Sequence, residues 1–135
     1  MSTGPLMWLM LHTMSIKIKP EIYTQKRAEI LDIIRELYII YPCKYCRADA
    51  IYYLDNYQNK IETQIDLKEY FYNFHHHVNV KLYKKFYDKT ILDKYENVDL
   101  KTIFNVFIRN CKMDPKIELT EKLLAFLNNN LDWFY

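Results

Sequence analysis

The 135-residue sequence has little of what builds β-turns and disulfide frameworks. It contains one glycine, four prolines and three cysteines. Tight hairpin turns depend on glycine and asparagine–glycine pairs, so neither a β-sandwich nor a doubly wound sheet is expected. Three cysteines, an odd number, do not make the framework of a secreted domain held by several disulfides. Helices joined by short connections are therefore the expected architecture.

An excess of one charge and long apolar runs are also absent. The 19 basic and 17 acidic residues are interleaved and leave a net charge of +2, which does not favour binding to nucleic acid or to a membrane surface. No apolar run approaches the roughly 20 residues of a membrane span. The first residues lack a basic stretch and a small-residue cleavage site, so a signal peptide is not expected.

Apolar and aromatic residues are abundant instead. Half of the residues are hydrophobic and 16% are aromatic, enough for one domain with one core. Apolar side chains recur at three- and four-residue spacing along the whole chain, which predicts amphipathic helices. The predicted helices cover about 5–18, 20–41, 43–57, 66–82, 99–111 and 119–131, with Asp66 and Asp99 as N-caps and a polar break at 88–97.

This pattern predicts an all-α fold. Four main helices form a bundle, a shorter fifth helix follows, and a C-terminal helical extension completes the chain. We place the bundle domain at residues 1–112 and the extension at residues 113–135.

Two cysteines three residues apart, in YPCKYC, stand where one predicted helix ends and the next begins. Cys43 and Cys46 can reach disulfide geometry if Cys43 lies at or just before the first helical turn, a position that Pro42 favours. The positive end of the helix, with Lys44 and Arg47, favours thiolate over thiol. The motif therefore indicates a redox-active pair.

Two other interpretations of the cysteines stay open at this point. They can be two small core residues, or two ligands of a metal whose remaining ligands come from His75, His76 and His77. Successive helical residues point about 100° apart, so at most two of those histidines can converge on one ion. A redox pair on an all-α fold needs an electron acceptor, and a bound flavin is a plausible one.

Three segments in the same order carry a family resemblance. GPLMWLMLH at 4–12, YPCKYC at 41–46 and HHHVNVKLYK at 75–84 resemble the FAD-linked sulfhydryl oxidases of the Erv/ALR type, most closely the compact branch of large DNA viruses. The resemblance runs from Gly4 to about Tyr87. The chain departs from the family pattern at His76, where the family has Asn, and at Lys85, where it has Pro and where we expect a looser turn. Pro5 and Leu6 replace the Arg and Ser of cellular members.

The resemblance implies both a fold and an activity. The implied fold is a four-helix bundle that holds FAD, and the implied reaction converts two thiols to a disulfide while dioxygen becomes hydrogen peroxide. Carried over by position, Cys46 lies against the flavin and Cys43 is the outer sulfur that a substrate thiolate attacks. No metal is expected. The implied cofactor contacts are Gly4, Trp8, His12, His75, Asn79, Leu82, Lys84 and Tyr87.

The resemblance also implies partners. They are a dithiol protein or small thiol-carrier protein as substrate, dioxygen as acceptor, and a second copy in a homodimer, in the host cytoplasm or the virion. Cys111 continues an apolar stripe and is expected to be a buried, inert thiol, with a shuttle or inter-subunit cysteine as the alternative. His76 and His77 are expected to face solvent or to support the residues that contact the cofactor. The competing hypothesis is a non-enzymatic helical adaptor with structural cysteines.

Overall fold

The architecture is seen in a computed structural model that describes residues 3–85, 87–111 and 116–135. Within these residues the chain forms helices and no strand, which confirms the all-α prediction. The α-helices are α1 (Thr3–Lys17), α2 (Pro20–Ile40), α3 (Lys44–Tyr57), α4 (Gln64–Lys81), α5 (Leu100–Cys111) and α6 (Ile117–Asn129). Short 3-10 helices cover Gln58–Lys60, Lys89–Asn97 and Leu131–Trp133.

Helix α1 lies at the centre of the fold. It contacts α4 and the 3-10 helix Lys89–Asn97, and it also packs against α5. A helix covered on all sides needs apolar residues on every face, and α1 has them: its first charged residue is Lys17, at its last position. Met10, Leu11 and Met14 are almost completely buried and form the middle of the core.

Helices α4 and α5 both begin at residues whose side chains cap them, with one correction to the sequence prediction. Asp99 caps α5 as expected, since its carboxylate accepts the backbone N–H of Lys101 at 3.2 Å. Helix α4, however, begins three residues earlier than Asp66 suggests, because Thr63 is its N-cap. Asp66 completes a capping box: its carboxylate accepts the Thr63 N–H at 3.0 Å, and the Thr63 hydroxyl accepts the Asp66 N–H at 3.1 Å.

The segment predicted as a polar break, 88–97, is ordered and partly buried. Asp88 accepts the N–H of Thr90 at 3.0 Å and starts the 3-10 helix Lys89–Asn97. Leu92 and Tyr95, one turn apart, are buried and hold this helix against α1. The polar residues around them outweighed two apolar positions in the sequence pattern, so the segment was wrongly predicted as a connection.

The C-terminal segment belongs to the same hydrophobic core. Helix α6 packs on α5 and α2 and buries Leu123 and Leu127 completely. The last residues tie back to the turn between α1 and α2, where the Tyr135 N–H donates to the Lys17 carbonyl at 2.8 Å. Pro115, which we expected to precede this helix, lies outside the described residues. No helix in the described ranges has the length and apolar character needed to cross a membrane.

Candidate active site

A cleft of about 730 Å³ opens between α1, α4 and the 3-10 helix Lys89–Asn97. The start of α3 closes one end of it and contributes Cys46, whereas Cys43 is not in its lining. The eight cofactor contacts expected from the sequence all line this cleft: Gly4, Trp8, His12, His75, Asn79, Leu82, Lys84 and Tyr87. Residues from three separate segments of the sequence are thus brought together in one place.

Aromatic and imidazole rings form the wall of the cleft. The rings of Trp8 and His75 stack with centroids 4.0 Å apart and planes 5° apart. His12 Nε2 lies 3.0 Å from His75 Nδ1, close enough for one nitrogen to donate a hydrogen bond to the other. On its other side His12 stacks on Tyr95 at 4.9 Å. Flat rings arranged in this way suit a flat heteroaromatic ligand.

Both histidines of the wall are held neutral. Burial, together with the charges of His75 and Lys94, lowers the pKa of His12 to about 3. Burial, with Lys84 and Lys94, lowers the pKa of His75 to about 4. His12 Nδ1 is buried and has no hydrogen-bond partner in the described part of the chain. Because such orphaned atoms are uncommon in native proteins, His12 is a candidate for bonding a ligand.

The two motif cysteines lie at the positive end of α3. Cys43 is the N-cap, and its sulfur accepts the backbone N–H of Cys46 at 3.3 Å. The two sulfurs are joined in a disulfide, with Cα atoms 5.2 Å apart. Cys46 is exposed and Cys43 is half-buried, so both can be reached from outside. This is the placement that the proline before the motif predicted.

The turn after α4 shapes the rim of the cleft. Tyr83 adopts the left-handed conformation with φ 56°, and the Lys84 N–H then donates to the Asn79 carbonyl at 2.9 Å. This bonding pattern closes a helix end even without the family's proline at Lys85. Asn79 is buried on the inner side, whereas Leu82 is exposed at the rim.

Several residues of the cleft were not expected from the sequence. Tyr95 and Lys94 come from the 3-10 helix, Tyr41 from the end of α2, and Tyr45 and Asp49 from α3. For Tyr95 and Lys94 the sequence held one signal, which is a capping Asp88 followed by apolar residues three apart at Leu92 and Tyr95. The Tyr41 contribution depends on how α2 crosses α1, which the sequence pattern does not contain.

The remaining histidines and the third cysteine lie around this site. His76 is exposed and also lines the cleft, and His77 Nε2 lies 3.7 Å from the Asp49 carboxylate. No group of three His, Cys, Asp or Glu side chains within the described ranges is arranged to hold a metal ion. Cys111 on α5 is fully buried, as expected, and burial raises the pKa of its thiol to about 12.

A helical bundle that carries an exposed disulfide beside an aromatic cleft has the parts of a thiol-redox protein. The model of the Erv1/Alr family matches residues 5–99, more than half of the sequence, and the protein belongs to that family. Its members are sulfhydryl oxidases that typically bind FAD and act on dithiols with oxygen as acceptor. No curated protein and no solved structure gives a significant match.

Proposed function

We propose that this protein is an FAD-dependent thiol oxidase that forms disulfides in dithiol substrates through the Cys43–Cys46 pair. One observation carries the proposal: the disulfide lies at the N-terminus of α3 with Cys46 in the lining of the cleft and Cys43 outside it. The pair can therefore receive electrons on its outer side and give them up on its inner side. The family membership supports the same chemistry.

The residues of the cleft fit such a cofactor. A volume of about 730 Å³ lies in the range of ligand pockets, which is roughly 300–1,000 Å³. Trp8 and His75 would hold the ring system, and the unpaired Nδ1 of His12 and the buried amide of Asn79 supply polar contacts. Gly4 lies where the end of α2 comes close, since a Cβ there would be 3.4 Å from the Tyr41 hydroxyl. Leu82, Lys84 and Tyr87 would contact the polar part at the rim.

The cysteines perform the exchange chemistry. A substrate thiolate attacks Cys43 Sγ, the Cys43–Cys46 bond breaks, and Cys46 leaves as a thiolate. The second substrate thiolate attacks the mixed disulfide, so Cys43 leaves in turn and takes a proton. The substrate loses two electrons and two protons and becomes a disulfide, while the cysteine pair gains the two electrons. The backbone N–H of Cys46 and the N-terminal end of α3 favour the thiolate forms.

Bound FAD would supply the electron transfer that completes the cycle, and two neutral histidines line the wall where it would bind. Bound FAD would accept the electron pair from the reduced cysteines and pass it to dioxygen, which yields hydrogen peroxide. His12 and His75, whose pKa values are about 3 and about 4, stay uncharged at neutral pH. They therefore bring no positive charge to the inner wall, and the hydrogen bond between their rings fixes both ring orientations.

Purification of the full chain tests the proposal directly. We expect a yellow protein with FAD-like absorbance that consumes oxygen when dithiothreitol is added. Cys46→Ala and Cys43→Ala should each lower turnover by at least about 10³-fold, because each removes a sulfur that exchanges electrons. Cys111→Ala is the matched control and should keep turnover within about twofold, since that thiol lies outside the cleft.

The outcomes separate the oxidase from the helical adaptor. An adaptor would be colourless and would leave oxygen untouched, and that result would refute the proposal. Retained dithiothreitol oxidation by Cys43→Ala would overturn the role given to Cys43 while leaving the cofactor assignment intact.

A further inference from the structure

Two cations bind the carbonyls at the C-terminal end of α2, next to the disulfide. Arg47 Nη1 donates to the Tyr41 carbonyl at 2.7 Å, and Lys116 Nζ donates to the Ile39 carbonyl at 2.7 Å. Neither cation forms an ion pair with an acidic side chain in the ranges that the structure describes. The last carbonyls of a helix carry partial negative charge and lack helical partners, so both cations satisfy groups that would otherwise be unpaired.

The two cations lie within electrostatic reach of each other, and Arg47 is next to the motif cysteines in the chain. Arg47 directly follows Cys46, and its side chain reaches back to the residue two positions before Cys43, so it bridges the turn that presents the disulfide. Burial lowers the pKa of Lys116, and the positive charge of Arg47 lowers it further, which places the two charges within electrostatic reach. Lys116 lies outside the segment that matches the family model.

We propose that Arg47 and Lys116 are positioning residues that together hold the C-terminal end of α2 and the turn after it, and that stabilise the thiolate of the reduced cysteine pair. The inference rests on the proposed thiol oxidase function, and it extends that function by assigning a role in the active site to the C-terminal segment. Positive charge at the end of α2, where the chain enters the cysteine motif, makes formation of the thiolate easier, so the disulfide exchanges faster near neutral pH.

Among the residues that the structure describes, the other charged groups around the turn do not cancel this effect. On α3, Lys44 adds a further positive charge, and the carboxylate of Asp49 already pairs with Lys81 at 3.2 Å and faces His77 at 3.7 Å. Cys111, which is close to Lys116, is uncharged at neutral pH because burial raises its thiol pKa to about 12.

Four variants of the full chain, each made in a Cys111→Ala background, test the inference: Arg47→Met, Lys116→Met, Lys116→Arg and Lys122→Met. Arg47→Met and Lys116→Met remove the two cations, and Lys122→Met is the matched control. Lys122 also joins α6 to α2, through the Glu36 carboxylate at 2.5 Å, but at a position further from the turn. The measurement is the pH profile of iodoacetamide alkylation of the reduced protein, followed by the equilibrium of the disulfide with glutathione.

We expect the alkylation rate at pH 7 to fall roughly three- to tenfold in Arg47→Met and roughly two- to threefold in Lys116→Met, with the profile shifted to higher pH. The disulfide becomes less oxidising in the same order. Lys122→Met should match the parent protein, and Lys116→Arg should restore the parent profile because the charge returns.

An unchanged pH profile in both Met variants overturns the inference, as does an equal shift in Lys122→Met, which would indicate loss of packing alone. If Arg47→Met does not fold, Lys116→Met and Lys116→Arg decide the question by themselves. Alkylation needs neither cofactor nor oxygen, so this result is independent of oxidase activity. If the protein does not consume oxygen but its alkylation profile shifts as expected, the proposed oxidase function is refuted and the role of Arg47 and Lys116 is still supported.

Discussion

The same amino acid occupies two opposite environments in this molecule. Cys46 is exposed at the positive end of α3, with a cleft on one side and basic residues nearby. Cys111 has no exposed surface, and its α5 neighbours Phe104, Phe107 and Ile108 are buried with it. Thiol chemistry depends on the thiolate, and its formation depends on charge and burial. The position in the fold, more than the residue type, therefore decides which cysteine can react.

The cleft beside Cys46 and the core around Cys111 differ in the same way as the two cysteines. The cleft contains His12 Nδ1, a buried nitrogen with no hydrogen-bond partner among the described residues, and the buried polar side chain of Asn79. The α5 side instead buries mainly apolar side chains, among them Leu100, Phe104 and Phe107. Unsatisfied polar groups cost stability, so a native protein tolerates them mainly where they serve binding.

The largest expected effect is the difference in reactivity between the two kinds of thiol. A thiol with a pKa of about 12 is only about 10⁻⁵ ionised at pH 7, whereas a thiol at a helix N-terminus with a pKa near 7 is about half ionised. We expect iodoacetamide to modify the reduced motif cysteines at least about 10⁴-fold faster than Cys111 in the native protein. Peptide mass spectrometry over a time course measures both rates. Modification of Cys111 at a comparable rate would remove the contrast.

A smaller effect concerns stability. Cys111→Ser places a hydroxyl in an apolar core, and we expect it to lower the free energy of unfolding by about 1–3 kcal/mol. Cys111→Ala loses only packing and should cost about 1 kcal/mol. Cys46→Ser, compared with the parent protein in reducing buffer, should change stability by less than about 0.5 kcal/mol because the position is exposed. Urea unfolding of the three variants measures the loss of unfolding free energy, which should decrease from Cys111→Ser to Cys111→Ala to Cys46→Ser. The reverse order would contradict the buried and exposed environments assigned to the two cysteines.

The sequence allowed the helices and most of the cleft to be predicted, and specific residues explain where it failed. The Cys43 N-cap followed from the proline and the spacing, because both act within one turn. The start of α4 was misplaced since two good capping residues, Thr63 and Asp66, stand three apart and share one capping box. Tyr95 was missed because its segment is short and mostly polar. Its burial depends on α1, and periodicity within a segment does not encode which distant helix covers it.

The last expected effect is a change in how stability depends on pH, and it distinguishes the cleft from the core. In the unfolded chain His12 binds a proton below about pH 6.5, whereas in the folded chain its pKa is about 3. Between those values the unfolded state holds more protons, so stability rises with pH; it is complete above pH 6.5 and is lost as the pH falls. One such group gives a slope of at most about 1.4 kcal/mol per pH unit.

His12→Gln should therefore flatten the dependence of the unfolding free energy on pH between 6 and about 4 by up to that amount. The pKa of His75, about 4, acts in the same direction, so part of the slope persists in the variant. Urea unfolding of both proteins at pH 7, 6, 5 and 4 gives the difference in slope. An NMR titration of His12 with a midpoint near the ordinary value would show that the ring is solvated. The cleft would then lack the buried neutral imidazole that distinguishes it from the α5 core.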